Sequence, residues 1–269
     1  MLVVIGLIVG GVLLGQDLIR ASEVRATISQ IEKYNTAVRT FQGKFGFLPG
    51  DLNATAATQF QFAARGFYAG EGDGNGIIEG VYGNSAGQNR GYSEAGGETP
   101  MFWVDLSSSV AGNLIDGGFN TAFSTGVPGA NVTGTNINLY LPQAKLGRGN
   151  YIYVWSGGAN QGNGINYYGL SAITTIATGT GPSSSPNIPP AIAYAIDSKT
   201  DDGLPMTGNV TAQFINGGPG WRGATPGNTS TGTITTCYDD GGSLSNTTVY
   251  SIEVNNGASA TCALAFQFQ

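Results

Sequence analysis

Met1-Leu-Val-Val-Ile-Gly-Leu-Ile-Val-Gly-Gly-Val-Leu-Leu14 carries no charged or polar side chain, and it runs without a break into a helically patterned segment ending near Phe45. Beyond the apolar run, Val24, Ile28, Ile31, Val38, Phe41 and Phe45 recur at three- and four-residue steps, which marks one apolar face of a helix. No proline occurs before Pro49, which biases Leu48 away from helical geometry and sets the stop. A straight helix over this span would extend ~65 Å, far longer than a globular domain needs. Its second half can bury one stripe on the chain that follows, whereas the first half must find partners elsewhere. Leu2, Val3, Ile5, Leu7, Ile8, Val12, Leu13 and Leu14, continued by Val24, Ile28 and Ile31, are the residues expected to pack against like helices in an assembly. Gly6, Gly10, Gly11 and Gly15 weaken the first half by about 1 kcal/mol each relative to Ala. Their small size also allows close helix contact, and Gly10 with Gly11 could mark a locally unwound, extensible segment.

The apolar run lacks a basic n-region and a small-x-small cleavage site, so it does not read as a secretory signal. At about 1.5 Å per residue it covers about 21 Å, short of a hydrocarbon core of about 30 Å. Either it does not span a membrane alone, or a few apolar residues are missing before Met1.

The 269 residues include 44 glycines, well above the roughly 7% of ordinary soluble chains. Only 10% of residues are charged, yet 12 Phe, 12 Tyr and 3 Trp supply more apolar area than disorder allows. The balance describes a loop-rich domain with a polar, uncharged surface. A net charge of −6 and scattered basic residues argue against nucleic-acid binding, which needs clustered Lys and Arg. Histidine is absent, and there is no Gly-x-Ser-x-Gly elbow or phosphate loop, so an enzyme has little support. Carboxylate pairs can cleave glycosides, but nothing in the sequence places two across a cleft. Trp155, Tyr167, Tyr168 and Trp221 could bind glycans if exposed, or pack in a core or subunit interface.

Cys237 and Cys262 are too far apart for a Cys-x-x-Cys redox or metal pair, and no histidine can join them. A disulfide closing a C-terminal loop is the better reading, worth roughly 3 kcal/mol by chain entropy and implying an oxidising compartment.

The expected organisation is α+β: residues 1–48 form a helical stem and 49–269 a head with an antiparallel sheet and long Gly-rich loops. Residues 52–66 and Pro190–Asp197 read as short helices. Met101–Leu106, Ile137–Leu141, Tyr151–Trp155, Val210–Phe214, Thr248–Val254 and Cys262–Phe268 read as strands.

Gly6-Leu-Ile-Val-Gly-Gly-Val-Leu-Leu-Gly-Gln-Asp-Leu-Ile-Arg-Ala21, with its amphipathic continuation and Leu48-Pro-Gly-Asp51, resembles the N-terminal part of type IV pilin-like proteins. That family includes type IV pilins and the pseudopilins of type II secretion. Ala195-Ile-Asp-Ser-Lys-Thr-Asp-Asp-Gly-Leu-Pro205 and Cys262-Ala-Leu-Ala-Phe-Gln-Phe268 are similar to one bacterial branch of it. The N-terminal resemblance covers about a fifth of the chain. A basic leader ending in Gly and an apolar tip with a glutamate, usual in the family, do not precede Met1. A truncated start would account for this, and a native chain without the glutamate is the runner-up.

The resemblance implies a structural subunit held in the bacterial inner membrane by its apolar helix. It would be processed by a prepilin peptidase and drawn by an ATPase-driven machine into an extracellular helical homopolymer. A periplasmic pseudopilus of type II secretion is the near alternative. A calcium-dependent adhesin or glycan-binding head on a helical anchor is the more distant one.

Two acidic stretches are candidate calcium sites. Glu71-Gly-Asp-Gly-Asn-Gly-Ile-Ile-Glu79 places oxygen side chains of Glu71, Asp73 and Asn75 at alternate positions, with Glu79 further on, like a degenerate calcium loop. A plain turn cluster is the alternative. Asp197, Asp201 and Asp202 crowd a second turn, where a cation or local N–H groups must offset their repulsion. The local hydrogen-bonded turn is favoured there.

Overall fold

The computed structural model describes residues 2–65, 72–80, 91, 93–119, 131–156, 164–177, 182–212, 232–239 and 248–268. The side chains of Leu2, Val3, Ile5, Leu7, Ile8 and Leu13 lie outside the description, as do Glu71 and Trp221.

Helix α1 (Leu2–Phe45) is continuous over 44 residues and passes through Gly10 and Gly11, so the possible unwound segment is helical in the isolated chain. Its second half buries Val24, Ile31, Tyr34, Ala37, Val38, Phe41 and Phe45, with Ile28 packed alongside. Val24 and Ile31 therefore serve the chain's own core, although they were expected among the assembly residues. The amphipathic stripe aligns them with Phe41, whereas Val12, Leu14, Leu18 and Ile19 stay 53–72% exposed. Gly46, at φ +78°, ends the helix and returns its N–H to the Gln42 carbonyl at 2.8 Å.

Beyond the stem come α2 (Ala54–Phe60), α3 (Glu98–Ser107) and α4 (Pro190–Thr200). α2 packs on the end of α1 through Phe60 and Phe45, and α3 and α4 pack on an antiparallel sheet whose centre is β3 (Asn166–Ala177). One half of β3 is flanked by β2 (Tyr151–Ser156) and β8 (Leu264–Gln267), with β5 (Val210–Ala212) beyond β8. The other half is flanked by β1 (Asn131–Thr133) and β4 (Ser183–Ser185). A small ladder joins β6 (Tyr238–Asp239) to β7 (Val249–Tyr250). The architecture is α+β with an antiparallel sheet.

The register follows from side-chain size. Tyr153 stands opposite Gly169, and a Cβ on that glycine would lie 2.0 Å from the Tyr153 ring. Trp155 stacks on Tyr167 at 4.7 Å and Tyr168 on Phe268 at 4.3 Å, so these aromatics belong to the core and offer no glycan platform. Tyr34 carries α1 into the same core by meeting Trp103 edge-on at 5.1 Å.

Two expected strands are helical. Met101–Leu106 lies in α3, where Glu98 to Leu106 are all buried. A helix buried on every side has no amphipathic period, so its short apolar run reads equally as a strand. Pro100 fits because the amides of a helix's first turn have no intrahelical acceptor. Ile137–Leu141 overlaps a 3-10 helix, Gly134–Leu139.

Replacing Gly169 by Ala should push the Tyr153 ring against a close-packed interior. Overpacking of this kind costs about 1–3 kcal/mol, read as a lower urea midpoint at unchanged slope. A midpoint equal to the parent's would refute this account of the β2–β3 register.

Candidate functional site

Three carboxylates meet where α1 gives way to the rest of the chain. Oxygens of Asp51, Asp73 and Glu98 lie within 4.8 Å of one another, a grouping that could hold a metal ion. Asp51 follows the helix-ending Leu48-Pro-Gly turn, Glu98 opens α3, and Asp73 sits on the loop between them. The loop is folded around the carboxylates by its backbone. Gly74 and Gly76 donate their N–H groups to the two oxygens of Asp51, each at 2.8 Å. Gly72 and Glu79 do the same for Glu98, each at 2.9 Å. Gly72, Gly74 and Gly76 all have φ between 66° and 84°, a left-handed geometry in which glycine avoids the Cβ penalty.

That backbone path redistributes the expected calcium-loop ligands. Asp73 joins Asp51 and Glu98, while Asn75 turns back, its amide donating to Asp73 and its carbonyl oxygen accepting from the Ile77 N–H at 2.7 Å. Glu79 is fully buried and outside the acidic group. Inward-facing amides, with side chains from elsewhere, replace a ring of loop side chains. Asp51 and Glu98 escaped the sequence reading because their partners are remote. The Gly-Asp step after Pro49 was a usable signal for Asp51. Glu98 was hidden by taking the following run as a strand.

Asp51 and Glu98 are buried and Asp73 is exposed. Burial raises the Asp51 pKa to about 6, against the lowering effect of the Gly76 and Gly74 amides. Burial first, and the Asp51 charge second, push Glu98 well above the ordinary range. The nearby buried cation is committed elsewhere: Arg65 pairs with Asp105, which also accepts the Gly50 N–H at 2.6 Å. The acidic group can therefore hold protons or a cation.

Asp197, Asp201 and Asp202 form the second grouping within 4.8 Å. Here local donors are prominent. Asp201 accepts from the amides of Asn209 and Val210, and Asp202 from the Leu204 amide at 2.8 Å and the Thr207 hydroxyl at 2.6 Å. Asp197, fully buried at the C-terminal end of α4, accepts from the Gly203 amide at 3.2 Å and the Tyr250 hydroxyl at 2.8 Å. Burial raises its pKa to about 7, and the negative end of the helix also disfavours its charge. The geometry is that of a hydrogen-bonded turn holding a buried carboxyl.

Cys237 and Cys262 are joined in a disulfide, and the Cys262 amide and carbonyl also bond Ile188 at 2.8 and 3.1 Å. Among the described residues, no helix is long and apolar enough to cross a membrane. No family model matches the chain, and no curated protein or solved structure is significantly similar to it.

Asp51, Glu98 and Asp197 all have folded-state pKa values above the ordinary carboxylate value. Such groups bind their protons more tightly when folded, so their stabilisation is complete below the unfolded pKa and is lost as pH rises through the folded one. In EDTA, the urea midpoint should therefore fall as pH is raised from about 5 to about 8. Asp197→Asn should flatten the upper part of that profile; an undiminished slope would exclude Asp197 as its source.

Proposed function

We propose that the protein is a structural subunit of a type IV pilus-like extracellular filament, polymerising through the first half of α1. The observation that carries this reading is the division of one helix into two environments. From Val24 onward α1 is locked into the core, while Val12, Leu14, Leu18 and Ile19 project unpartnered apolar surface along its length. Burying such surface stabilises by about 25 cal/mol per Å², and lipid or a bundle of like helices can supply the cover. Transfer from lipid to bundle costs little hydrophobic energy, so close packing at small residues such as Gly10, Gly11 and Gly15 can favour assembly. A repeated head-to-tail contact then grows as an open helical polymer. In this reading the chain rests in the bacterial inner membrane before assembly and meets a prepilin peptidase and an assembly machine.

A pseudopilus of type II secretion uses the same stem chemistry in a short periplasmic filament. Long surface filaments in electron micrographs support the pilus, and their absence the pseudopilus. The glycan-binding alternative has lost Trp155, Tyr167 and Tyr168, which are core residues.

Calcium is the cofactor that best fits Asp51, Asp73 and Glu98. It is a hard cation that takes carboxylate, carbonyl and water oxygens in flexible geometry, and its charge would offset the burial of two carboxylates. Asp73, exposed, leaves the group open to solvent.

Deletion of Met1–Leu14 should yield a soluble monomer that keeps its core, because the buried stripe begins at Val24. Continued polymerisation of that variant would end the helical-bundle mechanism. Calcium at one hundred times its Kd should stabilise the head by about 2.7 kcal/mol, read as a rise in Tm that EDTA reverses. Asp73→Asn should reduce that rise, and a Tm indifferent to calcium and EDTA would rule the ion out.

A further inference from the structure

Where α1 meets α4, a groove of about 250 Å³ opens beside the end of the exposed apolar stretch. Its floor includes Val24, Ile192 and Ala195, and all its charged lining residues, Arg20, Arg148 and Lys199, are cations. All three are exposed. Arg148 is 3.7 Å from Glu23, and no carboxylate lies within ion-pair distance of Arg20 or Lys199 among the described residues. Asp17 lies one turn before Arg20 on α1, and Asp201 and Asp202 follow Lys199 but accept hydrogen bonds from local donors. Ala191, in the first turn of the 11-residue α4, and Lys199, in its last, both line the groove, which therefore runs along the helix.

We propose that this groove holds the phosphate of an anionic phospholipid while the chain rests in the membrane, an inference that depends on the membrane stage of the proposed function. Position favours a lipid. Arg20 is one residue past Ile19 and two past Leu18, about 1.5–3 Å along the helix, and a headgroup layer is roughly 5–8 Å deep on each side of the hydrocarbon. A stem immersed to Leu18 and Ile19, which are apolar and exposed, sets Arg20 at headgroup level, with Arg148 and Lys199 in the same groove. Lining chemistry agrees: cations meet the phosphodiester, while Val24, Ile192 and Ala195 meet glycerol and the first acyl carbons, which a free inorganic anion lacks. In a chain of net charge −6, this lets the underside of the head approach an anionic surface that would otherwise repel it. Lipid held here fixes the depth of the stem, and leaving the membrane requires its release.

The test uses the full chain and flotation with vesicles of phosphatidylcholine alone or mixed with phosphatidylglycerol. The parent should prefer the anionic vesicles, with the preference shrinking in high salt. Each cation near such a surface contributes about fivefold, so R20Q/R148Q/K199Q should lose about tenfold or more of that preference, with Glu23 offsetting part of the full effect. A variant of equal charge, R25Q/R39Q/K44Q, should retain it. All six positions are exposed, and an unchanged Tm verifies folding. Equal loss in both variants, or none in the groove variant, overturns the groove site while leaving the apolar stem intact. Binding to neither vesicle overturns the membrane stage itself. Full competition by soluble glycerol 3-phosphate would assign the groove to a free anion. Weakened self-association with unchanged vesicle preference would assign it to a second copy. Either result overturns the proposal.

Discussion

The stripe from Val24 to Phe45 on α1 is the surface on which the remaining structure is assembled. Phe41, completely buried, meets Phe45 at 4.7 Å and Phe62 at 5.4 Å, while Phe45 meets Phe60 at 5.2 Å. Tyr34, two turns earlier, contacts both Trp103 of α3 and Tyr168 of the central strand. One helix face thus joins α2, α3 and the sheet in a single core. The joint also explains why the other end of α1 can stand clear. A helix fixed over six turns needs no support at Leu14 or Leu18 to persist, and helix propagation beyond a formed nucleus adds one hydrogen bond per residue.

The exit from α1 is the second constraint. Gly50 has φ +87°, and a Cβ there would lie 2.5 Å from the Glu98 carbonyl. α3 packs directly on this turn, and the Gly50 amide is held by Asp105, whose charge Arg65 balances inside the protein. Asp51, the next residue, then organises the loop through Gly74 and Gly76. The Leu48-Pro-Gly-Asp51 run thus ends a helix, admits another at close range and places a carboxylate inside a loop of amides.

The stem was legible because its apolar face keeps a helical period over many turns, and α4 because Pro190 opens a helical pattern. Tyr151–Trp155 and the C-terminal strand were legible from β-rich composition and alternation. The central strand β3 was not. Gly169, Ser171 and Ala172 interrupt its apolar run, yet Gly169 is required by the Tyr153 ring opposite it. Tyr167-Tyr168 and Ile173-Thr-Thr-Ile176 were the available β signal. Asp197, Asp201 and Asp202 were readable as a group because they are local in sequence. Asp51, Asp73 and Glu98 were not, because three separate turns bring them together.

The acidic group at Asp51 could hold a cation, but its loop does not depend on one for its hydrogen bonds. Each oxygen of Asp51 and Glu98 already accepts a backbone amide, so the loop has its hydrogen bonds before any cation arrives. A carboxylate oxygen can accept further contacts through its other lone pair, leaving ligand capacity without sacrificing those bonds. What remains unsettled electrostatically is charge, since the amides are neutral and Arg65 belongs to Asp105. Protons and cations therefore compete for the same carboxylates, with burial favouring the proton as pH falls. Any metal bound here would be coupled to deprotonation. Because Glu98 opens α3 and α3 packs on the exit of α1, any such exchange would act at the joint between the stem and the sheet-bearing part of the molecule.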